Sequence, residues 1–198
     1  KKVEKGKSAD EVVVGLKEGW PVEARKPVTR RLHATSVSWN CTGKSLAVCY
    51  GRTDMNGWCD MPGAVCVWRI FSKDFAPENP YLTFDHASCF CSLAFHPENP
   101  ALLAAGSFDG QLMVWDISQD SPEEPVAMTP INEFCHSEPV FSLCWIWDAK
   151  EREFLLISAA ADGRILTWSL SNKLRHPVRG AMLNNPAALS RTSERRVV

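Results

Sequence analysis

The chain has 198 residues, 45% of them hydrophobic and 23% charged, with a formal net charge of −1, enough to bury a core and ordinary for a globular protein. The near-zero charge argues against a nucleic-acid groove, which draws its affinity from a basic excess. No apolar run approaches the roughly 18 residues of a membrane helix, and Lys1-Lys2 leads into no signal-like segment, so neither a nucleic-acid partner nor membrane insertion is expected.

Because it begins with Lys1 and not Met, the chain reads as a piece of a longer protein. Residues 1–32 combine a charged start, the run Val12-Val13-Val14 and a basic stretch from Arg25 to Arg31. They read as a leader or linker with room for one short strand at the valines. Three segments then repeat one layout. Residues 33–70 run from HATSVSWNCTGKSLAVCYG through a long insert to Ala64-Val65-Cys66-Val67-Trp68. Residues 86–117 are HASCFCSLAFHPENPALLAAGSFDGQLMVWDI, and residues 136–170 are HSEPVFSLCWIWDAKEREFLLISAAADGRILTWSL. Each has a His, an alternating strand bearing Trp39, Phe95 or Trp145, a small-residue strand, and a strand closing on Trp68, Trp115 or Trp168. Asp109-Gly110 and Asp162-Gly163 sit between apolar runs as tight turns. Trp147, two residues beyond Trp145 on the same strand face, is expected to be packed.

The closing tryptophans are 47 and 53 residues apart, slightly beyond the roughly 40–45 of a WD40 repeat, and Trp115-Asp116 is a literal WD dipeptide. The expected fold is all-β: a WD40 propeller with three blades visible here, at residues 33–70, 86–117 and 136–170. Three blades do not close a ring, so the parent is expected to carry seven. In such blades a His, a Ser or Thr, the turn Asp and the strand Trp form a hydrogen-bonded set. The third repeat matches with His136, Ser158, Asp162 and Trp168. The second keeps His86, Asp109 and Trp115 but has Ala105 in the serine position. The first keeps His33 and Trp68 and exchanges its Asp turn for the insert. These histidines are expected to be buried and structural, not catalytic.

The connectors Phe71 to Pro80 and Gln119 to Pro130 contain Pro and acidic residues and read as solvated loops. Residues 171–198 lack periodicity, carry Arg175, Arg179, Arg191, Arg195 and Arg196, and read as an inter-blade loop or mobile tail. The eight cysteines lie mostly within apolar alternation and read as small buried hydrophobes. No spacing among them completes a metal site. Neither a metal nor any other cofactor is expected, and no nucleophile elbow, phosphate loop, HExxH pair or dinucleotide fingerprint appears. The function is expected to be binding. The insert at residues 51–63 carries Met55 and Trp58 between glycines and Pro62; long loops are often functional, although Trp58 could equally fold back over the blade. The candidates for partner contact are Arg52, Asp54, Trp58, Phe108 and Arg164, in or beside turns at one end of the blades.

The wording of the first two repeats narrows the partner. LHATSVSWNCTG (32–43), AVCYGRTDMNGW (47–58), VCVW (65–68) and CSLAFHPENPALLAAGSFDGQLMVWDIS (91–118) resemble the dynein intermediate chains. YGR before a Trp-containing insert, and KLRHP at 173–177, are similar to the branch of that family that serves dynein 2 and intraflagellar transport. The resemblance implies a non-catalytic scaffold whose propeller docks on the dynein heavy-chain tail beside a second, different intermediate chain. It also implies dynein light chains bound through a segment outside this chain, intraflagellar transport particles as partners, and a place on the cytoskeleton in the cytoplasm and the cilium or flagellum, including axoneme and basal body. It carries a role in retrograde transport and cilium assembly. The alternatives are an intermediate chain of an axonemal dynein arm and a substrate-receptor propeller of a ubiquitin ligase, the latter without a supporting sequence feature.

Overall fold

A computed structural model describes residues 32–52, 59 and 61–183. Among them twelve strands form three four-stranded antiparallel sheets. The first sheet holds β1 (His33–Trp39), β2 (Ser45–Gly51), β3 (Gly63–Arg69) and β4 (Leu82–His86), in that order. The second holds β5 (Phe90–Phe95), β6 (Leu102–Ser107), β7 (Leu112–Asp116) and β8 (Ala127–Met128). The third holds β9 (Val140–Asp148), β10 (Glu153–Ala160), β11 (Arg164–Ser169) and β12 (Arg179–Met182). Every sheet is an up-and-down meander, the arrangement of a WD40 propeller blade.

The fourth strands come from outside the three repeat segments. Ala127–Met128 lies within the stretch read as a solvated connector, and Arg179–Met182 within the stretch read as a loop or tail. Each is held by backbone pairing to its neighbour, Met113 against Met128 and Ile165 against Ala181. β12 is exposed along its whole length, so it carries no apolar alternation for a sequence reading to detect.

The sheets stack face to face, and burial follows position in the stack. The middle sheet is covered on both faces, so β5, β6 and β7 are buried almost residue by residue. β2 instead alternates strictly between buried and half-buried, as a sheet with one covered face must. The first seam joins Ala47, Cys49, Val65, Val67 and Phe84 to Phe90, Leu93, Phe95, Leu103, Met113 and Trp115. Phe84 stacks on Trp115 with centroids 4.8 Å apart. The second seam joins Ala104, Leu112, Val114 and Ala127 to Val140, Leu156, Leu166 and Trp168. Small residues stand where the innermost strands crowd: a Cβ on Gly106 would lie 2.7 Å from both Ser92 Oγ and Val140 Cγ1.

Hydroxyl groups tie each innermost strand to the next. Thr35 donates to the Phe90 carbonyl at 2.8 Å, and Ser92 donates to the Val140 carbonyl at 2.6 Å. Ser38 Oγ also accepts the Phe95 N–H at 3.0 Å, and the Trp145 indole donates to the Ala94 carbonyl at 3.2 Å. His96 completes the second join. Its Nδ1 accepts the N–H groups of Glu98 and Asn99, while its ring lies 4.9 Å from Trp145 and 4.6 Å from Phe154.

Trp115 is 1% exposed at the centre of the first seam, so Trp115→Ala is expected to cost roughly 3–5 kcal/mol. Urea denaturation followed by tryptophan fluorescence and circular dichroism measures the loss, and a change of under about 1 kcal/mol would mean the seam does not hold the stack.

Candidate functional site

The third sheet contains a directed chain of polar contacts in an apolar setting. His136 precedes β9, Ser158 lies on β10, Asp162 sits in the β10–β11 turn and Trp168 lies on β11. The Trp168 indole N–H donates to Ser158 Oγ at 2.8 Å, and Ser158 Oγ is 2.7 Å from His136 Nε2. His136 Nδ1 lies 3.0 Å from Asp162 Oδ2. One set of protons satisfies all three contacts. The carboxylate can only accept, so Nδ1 carries the hydrogen; Nε2 then accepts the serine hydroxyl, whose oxygen accepts from Trp168. The ring is therefore neutral, and its pKa accordingly falls below 6.5 because burial opposes the imidazolium more than Asp162 favours it.

Asp162 is anchored by further donors: the backbone N–H and Nε of Arg164, each at 2.9 Å, and the Ser137 N–H at 3.3 Å. Burial would raise this carboxyl, yet the Arg164 and His136 contacts outweigh it and hold it below 3.8. A Ser–His–Asp series is also the layout of a nucleophilic triad. Here, however, Ser158 is 0% exposed and its oxygen already receives the Trp168 N–H. The arrangement is a clamp that fixes the loop entering β9 to the strands behind it.

The second sheet holds a reduced form. His86 Nε2 approaches Asp109 Oδ2 at 3.4 Å without hydrogen-bond geometry and has no other hydrogen-bond partner. Ala105, opposite Met113, occupies the position that Ser158 holds opposite Leu166. Asp109 instead receives the Ser107 hydroxyl. Burial would raise the Asp109 carboxyl, but His86 and Ser107 together bring it below 3.8. The Asp109 turn closes on Gly110 at φ +87°, where a Cβ would lie 2.3 Å from the His136 carbonyl oxygen.

In the first sheet the set is absent among the described residues. His86 and His136 stand nine positions ahead of Phe95 and Trp145, whereas His33 stands only six ahead of Trp39. His33 is therefore not the counterpart of the other two: it is an exposed residue of β1 paired with Gly51. The Trp68 indole donates to the Pro77 carbonyl at 3.1 Å.

The candidate contact residues divide. Asp54 and Trp58 lie outside the described residues, as do Met55, the Val12–Val14 run and the arginines from 191 onward. Arg52 is only 7% exposed, with its guanidinium 6.0 Å from the centre of the half-buried Phe108 ring. Arg164 is committed to Asp162 and to the carbonyls of Glu133 and Cys135. Both arginines serve the fold. The surface that sequence reading passed over is apolar and lies at the two ends of the stack. On β1, Val37 is 60% and Trp39 49% exposed; on β9, Ile146 is 49% exposed and Cys144 is also exposed. Trp147 packs edge-on against Phe154 at 5.1 Å and is half exposed. Its signal was the run VFSLCWIW, apolar on both faces of one strand. Among the described residues no cluster of three or more His, Cys, Asp or Glu is placed to hold a metal ion.

Ser158→Ala leaves the Trp168 N–H and His136 Nε2 buried without partners and is expected to cost about 1–3 kcal/mol in a denaturant titration. The folded-state pKa of His136 lies below its unfolded value of 6.5, so the unfolded chain binds the proton more readily. The resulting stability is complete above pH 6.5 and declines as pH falls below it. Melting temperature measured from pH 7.5 to 5 should therefore fall, and His136→Gln should flatten that slope while leaving the share due to His96, also lowered by burial. An unchanged slope in His136→Gln would show that the imidazole does not titrate as described.

A family model described as WD domain, G-beta repeat, matches residues 78–116, a span that begins just before β4 and ends with β7. Cytoplasmic dynein 2 intermediate chain 2 of Mus musculus is 36% identical over 139 residues, covering 69% of this chain and 26% of the relative. The Homo sapiens protein of the same name is 35% identical with the same coverage of both chains. The 78 kDa intermediate chain of the flagellar outer arm dynein of Chlamydomonas reinhardtii is 28% identical over 72% of this chain and 20% of the relative. The chain thus spans about a quarter of the length of the dynein 2 relatives it matches. It is a WD40-repeat protein related to the dynein intermediate chains, cytoplasmic dynein 2 intermediate chain 2 among them.

Proposed function

We propose that this segment belongs to the propeller of a non-catalytic dynein 2 intermediate chain, which docks on the heavy-chain tail and supports retrograde intraflagellar transport and cilium assembly. The observation that carries the assignment is the difference in identity along a similar stretch: 36% to the dynein 2 chain against 28% to the flagellar outer-arm chain. The latter favours the second reading, an axonemal arm subunit, less strongly. The partners in this proposal are the heavy-chain tail, a second and different intermediate chain, dynein light chains bound outside this segment, and intraflagellar transport particles. The site of action is the cytoplasm and the cilium.

Two structural features support a rigid platform. The three sheets share continuous apolar seams, and the exposed Val37, Trp39 and Ile146 on the outer faces of the first and third sheets suit further blades of a ring, which we place at seven. Trp39 holds the position that Trp145 uses to reach the preceding sheet. We assign no heavy-chain contact to Arg52 or Arg164, whose side chains are engaged within the fold.

The full-length protein should co-purify in equal amounts with a dynein 2 heavy-chain tail fragment and poorly with an axonemal heavy-chain tail. Failure to retain the dynein 2 tail, with the propeller shown folded by circular dichroism, would overturn the proposal. Preferential retention of the axonemal tail would move it to the second reading.

A further inference from the structure

Outside the clamp, the densest group of reactive side chains is at the first seam. Cys49 on β2, Cys59 in the insert, and Cys89 and Cys91 at the start of the second sheet lie there, three of them buried and Cys59 half-buried. Two of these thiols share one acceptor. Cys59 Sγ lies 3.4 Å from the Met61 carbonyl oxygen and Cys89 Sγ lies 3.5 Å from the same oxygen. Both thiols therefore converge on one carbonyl oxygen. Close backbone packing holds Gly63 against Cys89, where a Cβ on Gly63 would lie 2.7 Å from Cys89 Cα. Cys59 is half-buried, whereas Cys89 is 0% exposed. One thiol therefore reaches solvent and the other is held behind it.

We propose that Cys59 and Cys89 are a reversible redox pair, a modification site at which a hydroperoxide joins the insert of the first sheet to the residue that leads into the first strand of the second. The Cys59 thiolate attacks the terminal oxygen of the hydroperoxide, forming an S–O bond and breaking the O–O bond; the displaced oxyanion takes a proton and leaves as water when the oxidant is hydrogen peroxide, or as an alcohol when it is an organic hydroperoxide. Cys89 sulfur then attacks the Cys59 sulfenic sulfur, forming the S–S bond as the S–O bond breaks, and the second hydroxide leaves as water with the Cys89 proton. Two thiols lose two electrons in total and one peroxide gains them. Burial pushes the Cys89 thiol up to about 12, which keeps it protonated and unreactive toward solvent oxidants until Cys59 has been oxidised. A small-molecule thiol reverses the bond by exchange at Cys59, the accessible sulfur. The inference stands on the seam alone and not on the dynein assignment.

The test exposes the folded full-length protein to hydrogen peroxide, blocks free thiols with N-ethylmaleimide, and maps the digest by mass spectrometry without reductant. A peptide pair linked through Cys59 and Cys89 should appear, with native maleimide labelling of Cys59 falling to near zero and returning after dithiothreitol. Cys59→Ser, a change at a half-buried position, should abolish the linked pair and leave Cys89 as a thiol. Conversion of Cys59 to sulfinic acid with Cys89 still free, or a link between Cys49 and Cys91 in its place, would overturn the proposal. So would a Cys89 link that persists in Cys59→Ser.

Discussion

A β-sheet has two faces, and each apolar face must meet another surface. In this protein that requirement is met by stacking, so every sheet depends on its neighbours for its burial. The middle sheet shows the result most fully: Leu103, Leu112, Val114 and Trp115 are all within 1% of complete burial although they point to opposite faces. Among the described residues the flanking sheets are covered on one side only. Their outer faces still carry apolar residues such as Val37, Trp39 and Ile146, a composition that suits continuation of the same stack.

Stacking alone gives attraction without alignment, and the polar contacts supply the alignment. The matched span 78–116 begins just before the fourth strand of one sheet and continues through the first three strands of the next. His86 lies at the end of β4 and yet faces Asp109 of the following sheet. A single repeat thus belongs to two sheets, and folding one unit positions the next. The clamp is strongest in the third sheet, where Ser158 links His136 to Trp168. In the second sheet Ala105 removes that link, and the Trp115 ring lies against Phe84 and Phe90. Hydrogen bonding and aromatic packing therefore serve the same purpose at equivalent positions.

Much of this was legible because it is local. Alternation around Trp39, Phe95 and Trp145, the Asp-Gly turns and the closing tryptophans all lie within a few residues of what they specify. The outer strands were not legible. Ala127–Met128 is two residues long and Arg179–Met182 is fully exposed, so backbone pairing defines them and side chains hardly matter. Position within the repeat also misled: His33 has the right residue type but stands three places late, inside β1. The arginines illustrate a different point. A turn position marks Arg52 and Arg164 as surface candidates, whereas their guanidinium groups bind carbonyls, a carboxylate or a ring within the fold. For exposed contacts, no sequence pattern separates an arginine that waits for a partner from one that already has it.

The hydroxyl contacts between innermost strands have a mechanical consequence. Thr35 on Phe90 and Ser92 on Val140 end on equivalent carbonyls, each five residues ahead of the strand's closing aromatic, Phe95 or Trp145. Apolar faces resist being pulled apart but slide with little penalty, because one methyl contact replaces another. A directional bond at each junction removes that freedom. Load applied to one sheet along its strands passes to the next as tension in a fixed set of bonds, and the stack transmits shear as a single body.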